Sequence, residues 1–444
     1  MKRETINVSR QQLVSVYISC AESCQAMGRA SKKNDKDNVD SHKITSIILA
    51  QLAATNVDLI KFQKTMISDQ YNINLLLANR HQNADIHNDI DTDIDSLKVG
   101  IVSSLEALNV KVECQFLSSN LECGSDHSSK RYVVTLMAVN ITAKVFASVV
   151  GLLIKNNVLL CSITSLSDGY VETANQGCAK LPQGYELEVL VSAIDNLESL
   201  NDQLTELTSR QLVDVAIQPA TILREQKRLA CFDMDSTLIK AEVIDELAKE
   251  AGVGEQVAQI TEAAMRGELD FNQSFIKRMS LLEGLDESVL EKVAERLVLA
   301  DGVEVLFAAL NRLGYKTAIL SGGFDYFARF LQKKLDIDYV YANELNIVDG
   351  KVTGKVVGKI VNGDQKAFLL EKIARQENID LEQVIAVGDG ANDLPMLALA
   401  GLGVAYKAKP LVKASAKYSI DYVGLDGLLY LVGLSAQQIH FLTK

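Results

Sequence analysis

Two aspartates two positions apart, Asp233 and Asp235, close a short apolar run, Leu229-Ala-Cys-Phe232. A carboxylate delivered at the end of a buried strand can attack phosphorus, and a second one two residues on can protonate the leaving oxygen. The pair can also bind a hard cation. Ser236, Thr237 and Leu238 turn the chain away. Two aspartates after a strand are more often a turn or a helix cap. What lies downstream decides between these readings.

Three later segments supply the partners that such chemistry needs. Ile319-Leu-Ser321-Gly322-Gly323 ends another apolar run, just before a helix starting near Phe324. A hydroxyl followed by glycine N–H groups there suits phosphate oxygens. Lys366 opens an amphipathic helix, where a cation opposes the helix dipole and an anionic partner would justify it. Lys372 and Lys359 are poorer candidates for that role. Val384 to Asp393 reads Val-Ile-Ala-Val-Gly-Asp-Gly-Ala-Asn-Asp. Its glycines do not suit a dinucleotide loop, since the third Gly is lacking and the segment lies late in its domain. All five histidines (42, 81, 87, 127, 440) fall outside 221–439, so carboxylates must do the work in this block.

Asp233-Met-Asp235-Ser-Thr237 resembles the DxDxT nucleophile motif of the haloacid dehalogenase superfamily. Ser321-Gly322 resembles its second motif, Lys366 its third by order, and Gly388-Asp389 with Asn392-Asp393 its GDxxND fourth. The resemblance implies a phosphatase that passes through a phosphoaspartate, with Asp233 as nucleophile and Asp235 as acid and then base. It implies phosphate contacts from Ser321, Gly322, Lys366 and Asn392. It places a metal at Asp233, Asp235, Asp389 and Asp393, and oxygen-only ligands favour Mg²⁺ over zinc.

Within that superfamily, residues 223–434 most resemble the phosphoserine phosphatases. Glu242 matches their acidic residue for the substrate ammonium, Arg278 the clamp on its carboxylate, and Phe271 and Met265 the pocket wall. Phe271 and Arg278 are seven apart, about two helical turns, so both can face one site. A carboxylate and a guanidinium are the minimal complement to a free amino acid. The implied reaction turns O-phospho-L-serine into L-serine and phosphate, the last step of serine biosynthesis. Two alternatives stay open. One is a phosphatase or phosphotransferase acting on another small phosphate ester; the other is a regulatory amino-acid-binding protein.

The elements that must position these residues fall into three blocks. Residues 1–125 and 126–222 each read as β-α-β-β-α-β, which suits a ferredoxin-like sandwich. Residues 223–444 alternate strands and helices as a doubly wound parallel sheet, with a helical insertion at about 241–298 as a cap over the strand ends. The Asp349-Gly350 turn within 344–359 predicts a hairpin beside the site. The two front units resemble ACT domains, which implies a homodimer through their sheets. The ligand loop of that family is not matched at Ala138–Lys144 or around Ser31–Ser41, which favours assembly over effector binding. The polar stretches 31–42 and 81–95 read as solvated loops. Asp89, Asp91, Asp93 and Asp95 do not make a calcium loop, because Ile94 and Gly100 stand where Gly and Glu are needed.

Of the 444 residues 48% are hydrophobic and 23% charged, with a net charge of −12, which opposes nucleic acid and anionic membranes. The seven cysteines show neither a disulfide framework nor zinc spacing. No signal core or membrane-length apolar run is present, so a cytoplasmic location is expected.

Overall fold

The computed structural model describes residues 13–21, 47–48, 50–52, 57–67, 70–79, 90–106, 111–119, 130–167, 181–191 and 197–444. They divide into two compact units. Met1–Ser167 with Gln183–Ala220 form one, and Asp168–Pro182 with Thr221–Lys444 form the other.

The first unit contains two four-stranded antiparallel sheets. Strands β1 (Leu13–Ala21), β2 (Val57–Ile67), β3 (Gln70–Asn79) and β4 (Lys111–Ser119) take the order β2-β3-β1-β4. Strands β5 (Lys130–Ala138), β6 (Leu159–Ser165), β7 (Gln183–Val191) and β8 (Asp214–Pro219) repeat it as β6-β7-β5-β8. With the helices Ala143–Lys155 and Leu197–Ser209, the second sheet makes a ferredoxin-like sandwich. Alternate β5 residues Val134, Leu136 and Ala138 face Phe146, Val149 and Leu153 of the first helix and Leu200 and Leu204 of the second. In the connection after β5, Thr142 caps the first helix through Val145 N–H, and Ile141 N–H is held by Gln183.

One segment differs from its reading as a loop. Residues 90–95 belong to the helix Ile90–Glu106. Ile90, Ile94, Leu97 and Ile101 recur at helical spacing, Leu97 and Ile101 are buried, and acids are favoured in a helix's first turns. The polar stretch 31–42 and Asp89 lie outside the described residues.

The second unit is built on a seven-stranded sheet. Its strands are β9 (Leu229–Phe232), β10 (Lys316–Phe324), β11 (Tyr339–Val348), β12 (Lys351–Val357), β13 (Val384–Gly388), β14 (Leu402–Tyr406) and β15 (Tyr418–Ile420). The order is β12-β11-β10-β9-β13-β14-β15, with every pair parallel except β11 with β12. The chain moves out from β9 to β10 and β11 on one side, then returns to its other side for β13. The end of β9 is therefore the topological switch point, where a crevice opens for a ligand.

Between β9 and β10 the chain forms five helices; Val243–Glu250, Gly254–Met265, Phe271–Ser280 and Ser288–Arg296 make the insertion, and Val303–Arg312 leads back into β10. The two strands of chain leading to them pair with each other. Lys240 N–H donates to Val298 O and Ala300 N–H to Leu238 O, both at 2.9 Å. The helices are also tied to the hairpin β11–β12. Asp349 and Gly350 both have positive φ (49° and 71°), as a tight two-residue turn requires. Beyond that turn, Gly284 N–H donates to Val352 O, Val352 N–H to Leu285 O and Glu287 N–H to Gly350 O, at 2.8, 2.9 and 2.9 Å. No helix among the described residues is long and apolar enough to cross a membrane.

Candidate active site

The ladder that holds β9 in the sheet also aims its end. Asp233 N–H donates to Val387 O at 2.9 Å, so Asp233 leaves the sheet beside the end of β13, where Asp389 follows. Asp233, Asp389 and Asp393 bring one carboxylate oxygen each within 4.8 Å of one another, all buried. Lys366 reaches the same point from the first turn of the helix Gly363–Gln376, whose cap is Asn362. Its Nζ lies 2.8 Å from Asp233 Oδ1 and 2.6 Å from Asp393 Oδ1, and the side chain is fully buried. Asp393 Oδ2 accepts the N–H groups of Asp389 and Gly390 at 3.1 and 2.9 Å. Thr237 donates to Asp389 Oδ1 at 3.3 Å.

The electrostatics follow from this crowding. Burial, and then the Asp393 charge, push the Asp233 carboxyl well above its ordinary range, against the pull of Lys366. Burial and then Asp393 and Glu242 lift Asp389 to about 7, against Lys409 and Lys366. Burial alone would lower the Lys366 ammonium, but Asp233 and Asp393 more than offset it and hold it above its usual value. Ionised, three carboxylates and one ammonium leave two negative charges, which a divalent cation cancels. The donors are all oxygens, which suits a hard cation.

The two oxygens of Asp233 are not equivalent. Oδ1 accepts from Met234 N–H at 2.7 Å and from Lys366. Oδ2 has no hydrogen-bond partner among the described residues. The Asp235 carboxylate lies outside the three-carboxylate group. Its Oδ1 accepts Val243 N–H at 3.1 Å, at the start of the first cap helix, and that bond turns the side chain towards the cap. Its Oδ2 lies so close to Gly323 that a Cβ there would come within 2.4 Å, and any side chain at that position would push the carboxylate aside. Burial, then Glu242 and Asp233, raise the Asp235 carboxyl well above its usual range.

The remaining candidates surround this centre. Ser321 is fully buried within β10, three residues before its end, and its Oγ accepts Gly323 N–H at 2.8 Å. Strand β10 runs on through Phe324, so the helix beyond starts at Asp325. Asn392 packs its side chain against Gly390 and does not touch Lys366, whose partners are Asp233 and Asp393. Lys359 and Lys372 lie over the rings of Phe368 and Tyr341, away from the carboxylates. Phe271 stacks on Phe275, packs against Gly322, and closes the crevice from the cap side. The Arg278 guanidinium is largely buried, and its Nε has no hydrogen-bond partner among the described residues. Burial lowers its pKa, opposed by the charges of Glu242, Asp245 and Asp235. Met265 ends its helix, and its side chain lies outside what the structure describes.

Two contacts were not legible from the motifs. Ser236 has a positive φ of 56° and donates to Glu242 Oε1 at 2.9 Å, holding that acid beside the aspartates. Asn343, in β11, bonds both Gly322 and Val361. An Asn inside a β-rich run is the one signal that could have marked it, since strands disfavour that residue.

Comparison with known proteins bears on this arrangement. The family model for haloacid dehalogenase-like hydrolases matches residues 230–398. A phosphoserine phosphatase of Streptomyces coelicolor is 34% identical over 400 residues, covering 90% of this chain and 91% of that protein. One from Archaeoglobus fulgidus is 47% identical over 225 residues, 51% of this chain and 65% of its own length. The unliganded structure of a probable phosphoserine phosphatase from Vibrio cholerae superposes with a TM-score of 0.53 at 34% identity. It covers 71% of this chain and 88% of its own.

Proposed function

The chain belongs to the phosphoserine phosphatases, within the haloacid dehalogenase-like hydrolases, and from that premise we propose how its residues hydrolyse O-phosphoserine to serine and phosphate. The observation that carries the reading is Lys366 held between Asp233 and Asp393 at the switch point of the sheet. With Oδ1 engaged by Lys366 and Met234 N–H, Asp233 attacks phosphorus through Oδ2. The ester P–O bond breaks, and its electron pair leaves on the serine oxygen, which takes a proton from Asp235. The raised pKa of Asp235 suits a group that must hold a proton until then. Water then attacks the phosphoaspartate, Asp235 takes its proton, and the P–O bond to Asp233 breaks to release phosphate. Ser321, Gly322, Lys366 and Asn392 carry the phosphate oxygens.

Asp233, Asp389 and Asp393 are the side chains that would hold Mg²⁺, which when bound supplies charge neutralisation for the phosphate. Asp235, whose carboxylate is directed to Val243 N–H, serves the proton transfers instead. Arg278 is the site for the substrate carboxylate, because a buried guanidinium with an open Nε needs an anion. Glu242, steadied by Ser236, takes the ammonium, and Phe271 and Met265 shape the wall between them. The cap excludes water while the acyl phosphate forms. The reaction is assigned to the last step of serine biosynthesis in the cytoplasm, and the ACT-like front units, bounded near 125 and 222, to homodimer formation.

The test is phosphate release from L-phosphoserine with Mg²⁺, comparing wild type with Asp233→Asn on a panel of small phosphate esters. A preference for phosphoserine that Asp233→Asn abolishes is the expected result. Asp233-dependent release only from other esters would discard the substrate, and activity surviving in Asp233→Asn would discard the nucleophile.

A further inference from the structure

The phosphate cradle has a weak point in its backbone. Gly322 and Gly323 follow Ser321 without a Cβ to restrain the peptide between them. A Cβ on Gly322 would meet the Phe271 ring at 2.8 Å and one on Gly323 would meet Asp235 Oδ2 at 2.4 Å, so a side chain at either position would displace one of these groups. A peptide between two glycines can rotate, and rotation here would turn the Gly322 carbonyl towards a dianion.

Asn343 stands against that rotation. It lies in β11, beside β10, and is only 2% exposed. Its Nδ2 donates to Gly322 O at 2.8 Å, and its Oδ1 accepts Val361 N–H at 2.9 Å. The orientation of the carboxamide is forced, because the carbonyl can only accept and the N–H can only donate. We propose that Asn343 is a positioning residue for the phosphate cradle, fixing both the donor role of Ser321 and the approach to the Lys366 helix.

The first half of this role runs through one peptide bond. In a trans peptide the Gly322 carbonyl and the Gly323 N–H point in opposite directions. With the carbonyl held by Asn343, Gly323 N–H donates to Ser321 Oγ at 2.8 Å. A hydroxyl that accepts from an N–H sends its own proton elsewhere, and that proton is available to a phosphate oxygen. The second half runs through Val361. The next residue, Asn362, caps the helix by accepting Gln365 N–H at 3.0 Å, and Lys366 follows immediately. One buried amide thus joins the serine and lysine segments, which are remote in sequence.

The proposal rests on Ser321 and Gly322 being the phosphate cradle, and its test separates the two claims. Inhibition by inorganic phosphate and by L-serine, with kcat and KM, is measured for wild type, Asn343→Ala, Ser321→Ala and the double variant, each checked by thermal melting. Asn343→Ala is expected to weaken phosphate about 10-fold, the scale of one buried hydrogen bond. L-serine inhibition should stay within about 2-fold, and in the Ser321→Ala background the Asn343 effect should shrink to the part that runs through Val361 and the Lys366 helix. Unchanged phosphate affinity in folded Asn343→Ala, full additivity with Ser321→Ala, or equal losses for serine and phosphate would each overturn the role. If Ser321→Ala itself leaves phosphate affinity unchanged, the cradle reading fails and takes the proposal with it. Should Asn343→Ala not fold, Asn343→Ser carries the same comparison, and wild-type phosphate affinity there would overturn the role equally.

Discussion

At the strand ends, Lys366 has a carboxylate on either side at 2.6 and 2.8 Å, and both oxygens of Asp393 are occupied by Lys366 and two backbone N–H groups. On the cap side, Arg278 carries a guanidinium into a buried position and leaves Nε without a partner among the described residues. Both regions bury charge, which is costly unless it is paired. The first pairs its ammonium within the protein and leaves only the excess negative charge to a divalent cation, so its donors are in place before substrate arrives, as transition-state stabilisation requires. The second leaves the cost standing, so that a ligand relieves it. Chemistry is preorganised here, and recognition is built from unmet bonds.

Removing the ammonium from the paired region should have the largest effect. Lys366→Met leaves Asp233 and Asp393 buried side by side with no cation between them. Loss of a partner from such a cluster costs about 3–5 kcal/mol, and loss of a charged phosphate donor costs about 10³-fold in kcat. Chemical denaturation and steady-state kinetics read the two separately. Stability within about 1 kcal/mol of wild type, on the scale of an exposed pair, would mean that the centre is not held by Lys366.

The open region should respond in the opposite sense. Arg278→Met removes a largely buried guanidinium whose Nε is unbonded among the described residues and whose charge is offset only by the neighbouring Glu242, Asp245 and Asp235, so it should raise stability by about 1–2 kcal/mol. It should also raise KM for phosphoserine about 100-fold, the scale of a lost charge-assisted hydrogen bond. A phosphate ester with no carboxylate should feel little of this. A destabilised variant with equal losses on both esters would place Arg278 among the structural residues and end the contrast. This trade of stability for binding is the expected signature of a recognition residue.

Much of the paired region was legible because each of its residues ends an apolar strand or begins a helix. Asp233, Ser321 and Asp389 close runs such as Leu229–Phe232 and Val384–Gly388, and parallel strands bring their carboxyl ends together. What was not legible depends on atoms rather than residue types. Sequence pattern gives no reason for Asp235 to bond Val243 N–H, which takes its carboxylate away from the other three. Nor does it show that Asn343 spans from Gly322 to Val361, since both partners are backbone groups that every residue offers. The bonds from Gly284, Leu285 and Glu287 to the hairpin are hidden for the same reason. The acids before Lys98 suit a solvated loop, yet the spacing of Ile90, Ile94, Leu97 and Ile101 makes the segment helical.

A third buried carboxylate sharpens the comparison with a smaller effect. Asp426 is only 5% exposed, and the nearby ammonium groups of Lys240 and Lys407 are taken by Asp301 at 2.6 and 3.4 Å. Burial lifts its carboxyl to about 6, against hydrogen bonds from its own N–H and that of Gly427. The folded state therefore binds this proton more tightly than the unfolded chain, whose carboxyl titrates near about 3.9. Between those values the folded protein holds the greater number of protons, so stability must fall as pH rises from about 4 to about 6. The loss attributable to this one group is at most about 3 kcal/mol. An asparagine in place of the acid keeps an acceptor oxygen and cannot ionise. Asp426→Asn should accordingly gain on wild type across that window and hold its advantage at pH 7, as read by denaturant midpoints at pH 4 and pH 7. A stability difference between the two proteins that does not change with pH would mean that Asp426 is neutralised where it lies. It would then belong with Lys366 and its partners, and burial without a cation would no longer distinguish it from them.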